Sequence, residues 1–329
     1  MVYAPVRIAT LNRYEHFRRC LESLENNSWA QYTEIYVSVD YPSKEEHWEG
    51  YRKIRAYLEE KEKRNSFAKL NVYVQEKNLG SSGNSIFLAN IVFERHDRAI
   101  YLEDDIETAP NFLEYMDKAM EWAADNDKVY CVCGYFQPKK KSLIYQTVAD
   151  NNLFLRTAFN PWGVGHFKDK RQKRKETISR EWLDSVARNN KQMMLLFKYR
   201  KYSFWMLVTE YLVKKSPVFL NAKGELRGID IVVDIYMTLN EMYAVFPVVS
   251  KTRNWGFDGS GINCGPQKID DKKFQLDDRT SFNIAENDPI IIDQEIMKQT
   301  SWGGLPNKLE LYRAVIYYFI YRIALWFKR

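Results

Sequence analysis

The chain has 329 residues, 45% of them hydrophobic, 28% charged and 15% aromatic, with a formal net charge of +6. That length buries a sizeable core as one large domain or two fused lobes, and the composition excludes disordered and fibrous classes. Cys20, Cys131, Cys133 and Cys264 show no paired metal spacing, which fits a reducing compartment, and the first residues lack the charged-then-apolar segment of a cleaved signal peptide.

Taken in order, residues 6–11 read as a strand, and the next helix places Phe17, Cys20, Leu21 and Leu24 at helical spacing. A strand over 34–41 precedes a highly charged helix over 44–63, and a strand over 70–74 precedes a helix over 84–95. A fourth strand, 99–102, is followed by a helix carrying Phe112, Tyr115, Met116, Ala119, Met120 and Ala123 on one face. A fifth strand covers 128–136. Strands alternating with helices predict right-handed crossovers and an α/β fold with a parallel, doubly wound sheet.

In such a sheet every strand points its C-terminal end to one edge, where ligands bind. That edge collects Asn12 and Arg13, then Asp40, then Asn78 with the turn from Gly80 to Gly83, then Glu103, Asp104 and Asp105. Singly, each has a plain alternative: a helix start, a turn, a loop, or an exposed acidic turn ahead of a helix. Together they suit a nucleotide diphosphate. Arginine pairs with phosphate, a carboxylate accepts from ribose hydroxyls or a pyrimidine N3–H, and Mn2+ or Mg2+ bridges diphosphate oxygens. The glycine turn is neither a Walker loop nor a Gly-x-Gly-x-x-Gly fingerprint, so phosphate here would be held by metal.

Further on, Asn160-Pro161-Trp162-Gly163 is either a rigid turn or a place for a tryptophan to stack on a sugar face. Gly256, Gly259, Gly261 and Gly265 fall within ten residues, the density expected of a lid that orders over its ligand, or of a surface turn. Basic runs occupy 139–141, 168–175 and 198–201, usually a solvated face. Residues 309–329 are aromatic and basic, too short and too charged to span a bilayer. As an amphipathic helix this tail lies in an anionic membrane interface, docks on the domain, or contacts another copy. No ribonucleoprotein aromatic motif or zinc finger supports nucleic-acid binding.

Residues 101–115, Tyr-Leu-Glu-Asp-Asp-Ile-Glu-Thr-Ala-Pro-Asn-Phe-Leu-Glu-Tyr, resemble the metal-binding segment of GT-A glycosyltransferases, nearest the N-acetylglucosaminyltransferase I type and its bacterial family-2-like relatives. Residues 156–165 are similar to their acceptor-side turn, and 250–261 to the loop that closes over the donor. The resemblance implies a UDP-sugar donor, a glycan or lipid-linked acceptor, and an inverting transfer. It implies Asp105 as metal ligand and Glu103 and Asp104 facing ribose and donor sugar. Arg13, Asp40, Asn12, Asn78 and Gly80 would sit on the nucleotide, and Trp162, Gly163, Gly259 and Ser260 on the donor. Relatives carry a Trp-Asp pair ahead of the glycine loop, where Asp230 aligns and Asp234 is the reserve for the catalytic base. The alternative role for Asp230 is capping the helix that follows.

On this basis 1–136 form a nucleotide-sugar lobe, 137–265 an acceptor and catalytic lobe, and 266–329 an extension. The expected location is cytoplasmic, peripheral on the inner face of the membrane, with a role in bacterial surface polysaccharide or glycoconjugate synthesis. Two other classes stay open. A sugar-phosphate nucleotidyltransferase normally opens with a Gly-x-Gly-x-Arg loop, and residues 6–13 contain no glycine. A non-catalytic membrane-binding module would keep the sheet and use its basic surface.

Overall fold

The structure, a computed structural model, describes residues 1–137, 143–216, 219, 226, 229–260, 276–285, 289–292 and 307–327. The lysine run 139–141, Gly261, Cys264, Gly265, Lys328 and Arg329 lie outside the described residues.

The first half follows the alternating pattern. β1 (Val6–Thr10), β2 (Glu34–Val39), β3 (Lys69–Val74) and β4 (Arg98–Glu103) are connected by α1 (Tyr14–Glu25), α2 (Trp48–Lys63) and α3 (Gly80–Arg95). β1 pairs in parallel with β2 and β4, and β2 with β3. Val6, Ile8, Ile35, Val37, Ile100 and Leu102 are buried, as parallel strands covered on both faces require. Phe17, Cys20, Leu21 and Leu24 form the inner face of α1, and all six apolar residues expected to face inward on α4 (Phe112–Ala123) are fully buried. α3 starts four residues earlier than its apolar pattern indicates, so Gly80 to Gly83 form its first turn rather than a loop.

Beyond β4 the sheet is not uniformly parallel. β5 (Ile106–Thr108) leaves it to pair antiparallel with β10 (Thr252–Asn254), while β6 (Val129–Cys133), β7 (Leu153–Arg156), β8 (Val164–Phe167), β9 (Tyr243–Pro247) and β11 (Ile290–Ile291) extend it. The order is β11-β7-β9-β6-β8-β4-β1-β2-β3. β8 is wedged between β4 and β6, antiparallel to both, and β7 runs antiparallel to β9 and parallel to β11. One sheet thus crosses residue 136 and joins the two expected lobes.

The segment 276–285 folds back on α4. Lys251 and Asp277 form a fully buried ion pair, Asn111 Nδ2 donates to the Ser281 carbonyl at 2.9 Å, and Phe282 N–H donates to Glu114 Oε2 at 3.1 Å. The basic run after β8 forms α6 (Lys168–Thr177), and it is not wholly solvated. Lys170 is buried, donating to the carbonyls of Asn126 at 2.8 Å and Val129 at 2.6 Å, which holds the turn leading into β6.

The remaining helices, apart from a short α5 (Leu143–Val148), form a body beside the sheet: α7 (Arg180–Arg188), α8 (Asn190–Tyr199), α9 (Lys201–Met206), a π-helical stretch (Leu207–Val213), α10 (Ile229–Leu239) and α11 (Lys308–Trp326). Ser179 and Asn189 cap α7 and α8, and Asn307 with Glu310 forms a capping box on α11. α11 packs through Leu311, Ala314, Val315 and Tyr318. The tail was expected to be amphipathic, but its opposite side is apolar too and faces solvent. Among the described residues no helix is long and apolar enough to cross a membrane.

Candidate active site

Parallel pairing brings the C-terminal ends of β1, β2, β3 and β4 to one edge, as the strand order requires. The acidic triplet stands there because β4 ends at Glu103 and the chain turns at once into β5. Asp104 and Asp105 are buried. Two buried carboxylates in sequence need compensation, and Arg13 at the start of α1 supplies part of it. Its guanidinium pairs with Asp104 through Nη2 and with Asp105 Oδ2 through Nη1, the latter at 2.9 Å. The Thr10 hydroxyl, at the end of β1, donates to Asp104 Oδ2 at 2.9 Å. Asp104 is therefore fully engaged. Asp105 is not, since its Oδ1 is buried without a hydrogen-bond partner. Burial pushes the Asp105 carboxyl up, against the pull of Arg13.

Glu103 shows the net balance of the site. Burial, then the charges of Asp105, Asp230 and Asp104, push its carboxyl up to about 8, with Arg13 opposing. The contribution from Asp230 shows that α10 brings a fourth carboxylate close to the triplet, from more than a hundred residues away. Asp230 lies in the first turn of α10, inside the helix rather than at its cap. Its side chain is exposed, yet the protein packed around it partly desolvates the carboxyl. That crowding pushes its carboxyl up to about 6, partly offset by Arg174.

The glycine loop closes the other side. Trp255 N–H donates to the Asp105 carbonyl at 2.9 Å, and the Trp255 indole donates to Glu107 Oε2 at 2.7 Å. Gly256 then passes so close that a Cβ there would stand 2.3 Å from Asp105 Oδ2. His16 Nε2, one turn beyond Arg13, lies 3.1 Å from Asp258 Oδ2, and Ser260 donates to Asp258 Oδ1 from its N–H and its hydroxyl. Trp162 is partly buried, with its ring edge-on to Tyr135 and Phe257 at centroid distances of 4.6 and 5.5 Å. Gly163 holds a φ of +79°, and a Cβ there would meet Thr252 at 2.7 Å, so the turn before β8 requires glycine. We expect Gly256→Ala to displace the Asp105 carboxylate at an overpacking cost of about 1–3 kcal/mol, weakening Mn2+ binding by tenfold or more. Calorimetric titration of Mn2+ in the presence of UDP checks this, and an unchanged affinity would exclude the contact.

The residues fit a divalent cation of the kind that binds through substrate phosphate. An unpartnered buried carboxylate oxygen and a neighbouring acid pushed up by burial and by like charges both gain from a cation. Among the described residues no cluster of three or more His, Cys, Asp or Glu side chains forms a complete ligand set. Mg2+ and Mn2+ sites commonly take only one or two carboxylates, the rest coming from phosphate oxygens and water.

Other expected residues have structural duties. Both Asp40 oxygens are occupied: Oδ1 accepts from the N–H groups of Tyr41 and Leu79 at 2.9 and 2.8 Å, and Oδ2 from Asn78 Nδ2 at 3.3 Å. Asp40 and Asn78 thus tie the end of β2 to the start of α3, where Gly80 has a φ of +72°. Asn12 uses its carbonyl to accept from Tyr14 N–H at 3.0 Å. Gly259, with a φ of +90°, ends the short turn after Trp255. Asp234, the reserve base, is buried in an ion pair with Arg200 and accepts from Ser203 Oγ at 2.7 Å, so it cannot serve as a base in this arrangement. Removing one member of a buried pair leaves an uncompensated charge. Arg200→Ala is accordingly expected to cost about 3 kcal/mol in urea unfolding, and a change below about 0.5 kcal/mol, the usual size for a neutral surface substitution, would refute that role.

Thr10 and His16 were not anticipated, and Trp255 and Gly256 were expected in a closing loop without their contact to Asp105. Thr10 and His16 were visible as the last residue of the first strand and the residue one turn past Arg13. The Trp255–Gly256 contact is a tertiary approach with no local signal.

No family model matches the chain, and no curated protein sequence does. Solved structures resemble it at low TM-scores and low identity. They include S. aureus TarS, at 14% identity over 55% of this chain and 32% of that one, with a TM-score of 0.34. The mannosyltransferase PcManGT from Pyrobaculum calidifontis, in complex with GDP-Man and Mn2+, is 14% identical over 53% of this chain and 47% of its own, at a TM-score of 0.35. Mouse xyloside xylosyltransferase 1, in its apo form, is 15% identical over 75% and 85%, at 0.39. The chain spans about a third and about half of the first two. At these scores no residue correspondence is transferred, and the class stands on the chain's own strand order: an α/β protein with a mostly parallel sheet and an acidic strand-end site.

Proposed function

We propose that the protein is a metal-dependent, inverting glycosyltransferase that moves a hexosyl or N-acetylhexosaminyl group from a UDP-sugar to a hydroxyl of a glycan or lipid-linked saccharide. The polysaccharide or glycoconjugate context follows the resemblance of residues 101–115. One observation carries the reading: Glu103, at the end of β4, is pushed up to about 8 first by burial and then by the charges of Asp105, Asp230 and Asp104, so the strand-end acids and Asp230 of α10 act on one site. A carboxylate that would hold a metal, and a second, solvent-exposed carboxylate acting on the same Glu103, are what glycosyl transfer needs.

Asp105 would hold Mn2+ or Mg2+, which when bound neutralises charge developing on the diphosphate. Arg13 fixes the orientation of Asp105 and Asp104, and Thr10 fixes Asp104 from the other side. Asp230 takes the proton from the acceptor hydroxyl as its oxygen bonds to the anomeric carbon and the bond from that carbon to the diphosphate oxygen breaks. The 255–258 segment, packed on Trp162, limits water that would hydrolyse the donor. A screen of nucleotide sugars for hydrolysis, with and without Mn2+, tests this. Turnover of a UDP-sugar only with the metal is expected, and no turnover of any sugar nucleotide would contradict it.

A further inference from the structure

We infer that the outward side of α11, with the basic helices it packs on, is a docking surface for an anionic lipid bilayer. Leu311, Ala314, Val315 and Tyr318 occupy its inner side. Tyr312, Ile316, Phe319, Ile320, Ile323 and Trp326, spaced three to four apart, form a second stripe on the opposite side, each more than half exposed. Soluble surfaces carry apolar residues singly, and a contiguous stripe along a helix of about 28 Å marks a contact. On the inner side, Tyr318 packs edge-on to the buried Phe204, which meets Phe197 of α8, with ring centroids 6.1 and 5.2 Å apart, and this anchors α11 on the body.

Charge decides what covers it. Leaving out Arg200, which is buried against Asp234, residues 180–215 hold seven Lys and Arg against three Asp and Glu, and Lys191, Lys215, Lys308 and Arg313 are exposed. Tyr318 donates to Asn190 Oδ1 at 3.0 Å and Arg322 donates to the Arg188 carbonyl, so this basic body and the apolar stripe are one surface. A second copy pairing through the same stripe would set the basic rim against itself, where like charges repel. An anionic bilayer meets both features at once: the apolar stripe enters the acyl boundary, the Tyr and Trp rings sit at headgroup level, and the rim faces lipid phosphate.

The test is co-sedimentation of the full chain with phosphatidylcholine vesicles, with and without phosphatidylglycerol. Binding is expected to be at least about tenfold stronger with the anionic lipid and to fall with salt. The Phe319→Glu, Ile323→Glu double variant, altered only at exposed positions, is expected to lose that binding while keeping its thermal unfolding curve. Lys191→Glu with Lys215→Glu provides an independent reading through charge, with an expected drop on anionic vesicles only. Equal recovery on both vesicle types, no recovery, or variants that bind like the parent would overturn the inference. A lipid-free dimer in sedimentation velocity that the Phe319→Glu, Ile323→Glu variant dissociates would overturn it in favour of a second copy.

Discussion

Asp105→Asn is expected to cut Mn2+-dependent sugar transfer by about 10³-fold, the several kcal/mol that a metal supplies to a leaving diphosphate. Asparagine keeps the shape and removes the charge. Because burial already disfavours the charged Asp105 and Asp104 remains to pair with Arg13, the variant is expected to unfold no earlier than the parent. Catalysis lost with stability retained separates a metal ligand from a structural acid. Calorimetry with UDP and Mn2+, run beside a transfer assay, reads both, and parental rates in the variant would remove Asp105 from the role.

Asp230→Asn is expected to lower transfer by roughly 10³-fold while leaving UDP-sugar affinity within a factor of two or so, since general-base catalysis contributes within 10²–10⁴. The pH dependence gives the sign. A base works only after losing its proton, and desolvation by the protein around it pushes the exposed Asp230 carboxyl up to about 6. Parental transfer should therefore climb as pH rises through about 6 and level off above it. Residual transfer in the variant should be flat across that range. A variant that keeps the same inflection would assign it to another group.

Much of this architecture is legible in the sequence where physics is local. The 3–4 spacing of Phe17, Cys20, Leu21 and Leu24 and the six apolar residues of α4 identify inward helix faces, because burial rewards that spacing directly. The acidic triplet is legible as a site because β4 ends where its carboxylates begin. Illegible are the features made by distant chain. β8, four residues of Val-Gly-His-Phe, has no alternation to reveal that it opposes its neighbours. That Asp40 also ties the end of β2 to the start of α3, through Leu79 N–H and Asn78, is not visible in the letters. Asp230 and Asp234 are equivalent as letters, yet Asp234 is buried against Arg200 and Ser203 while Asp230 is exposed. The two-sided apolar character of α11 similarly depends on which helix side the 180–213 body covers.

The most direct test is an anomalous-scattering map from crystals grown with Mn2+ and a UDP-sugar. The account expects a manganese peak within about 2.0–2.3 Å of Asp105 Oδ1 and of the diphosphate oxygens, the range for hard divalent cations on oxygen. A peak elsewhere, or donor bound while Asp105 Oδ1 has no cation beside it, would contradict it.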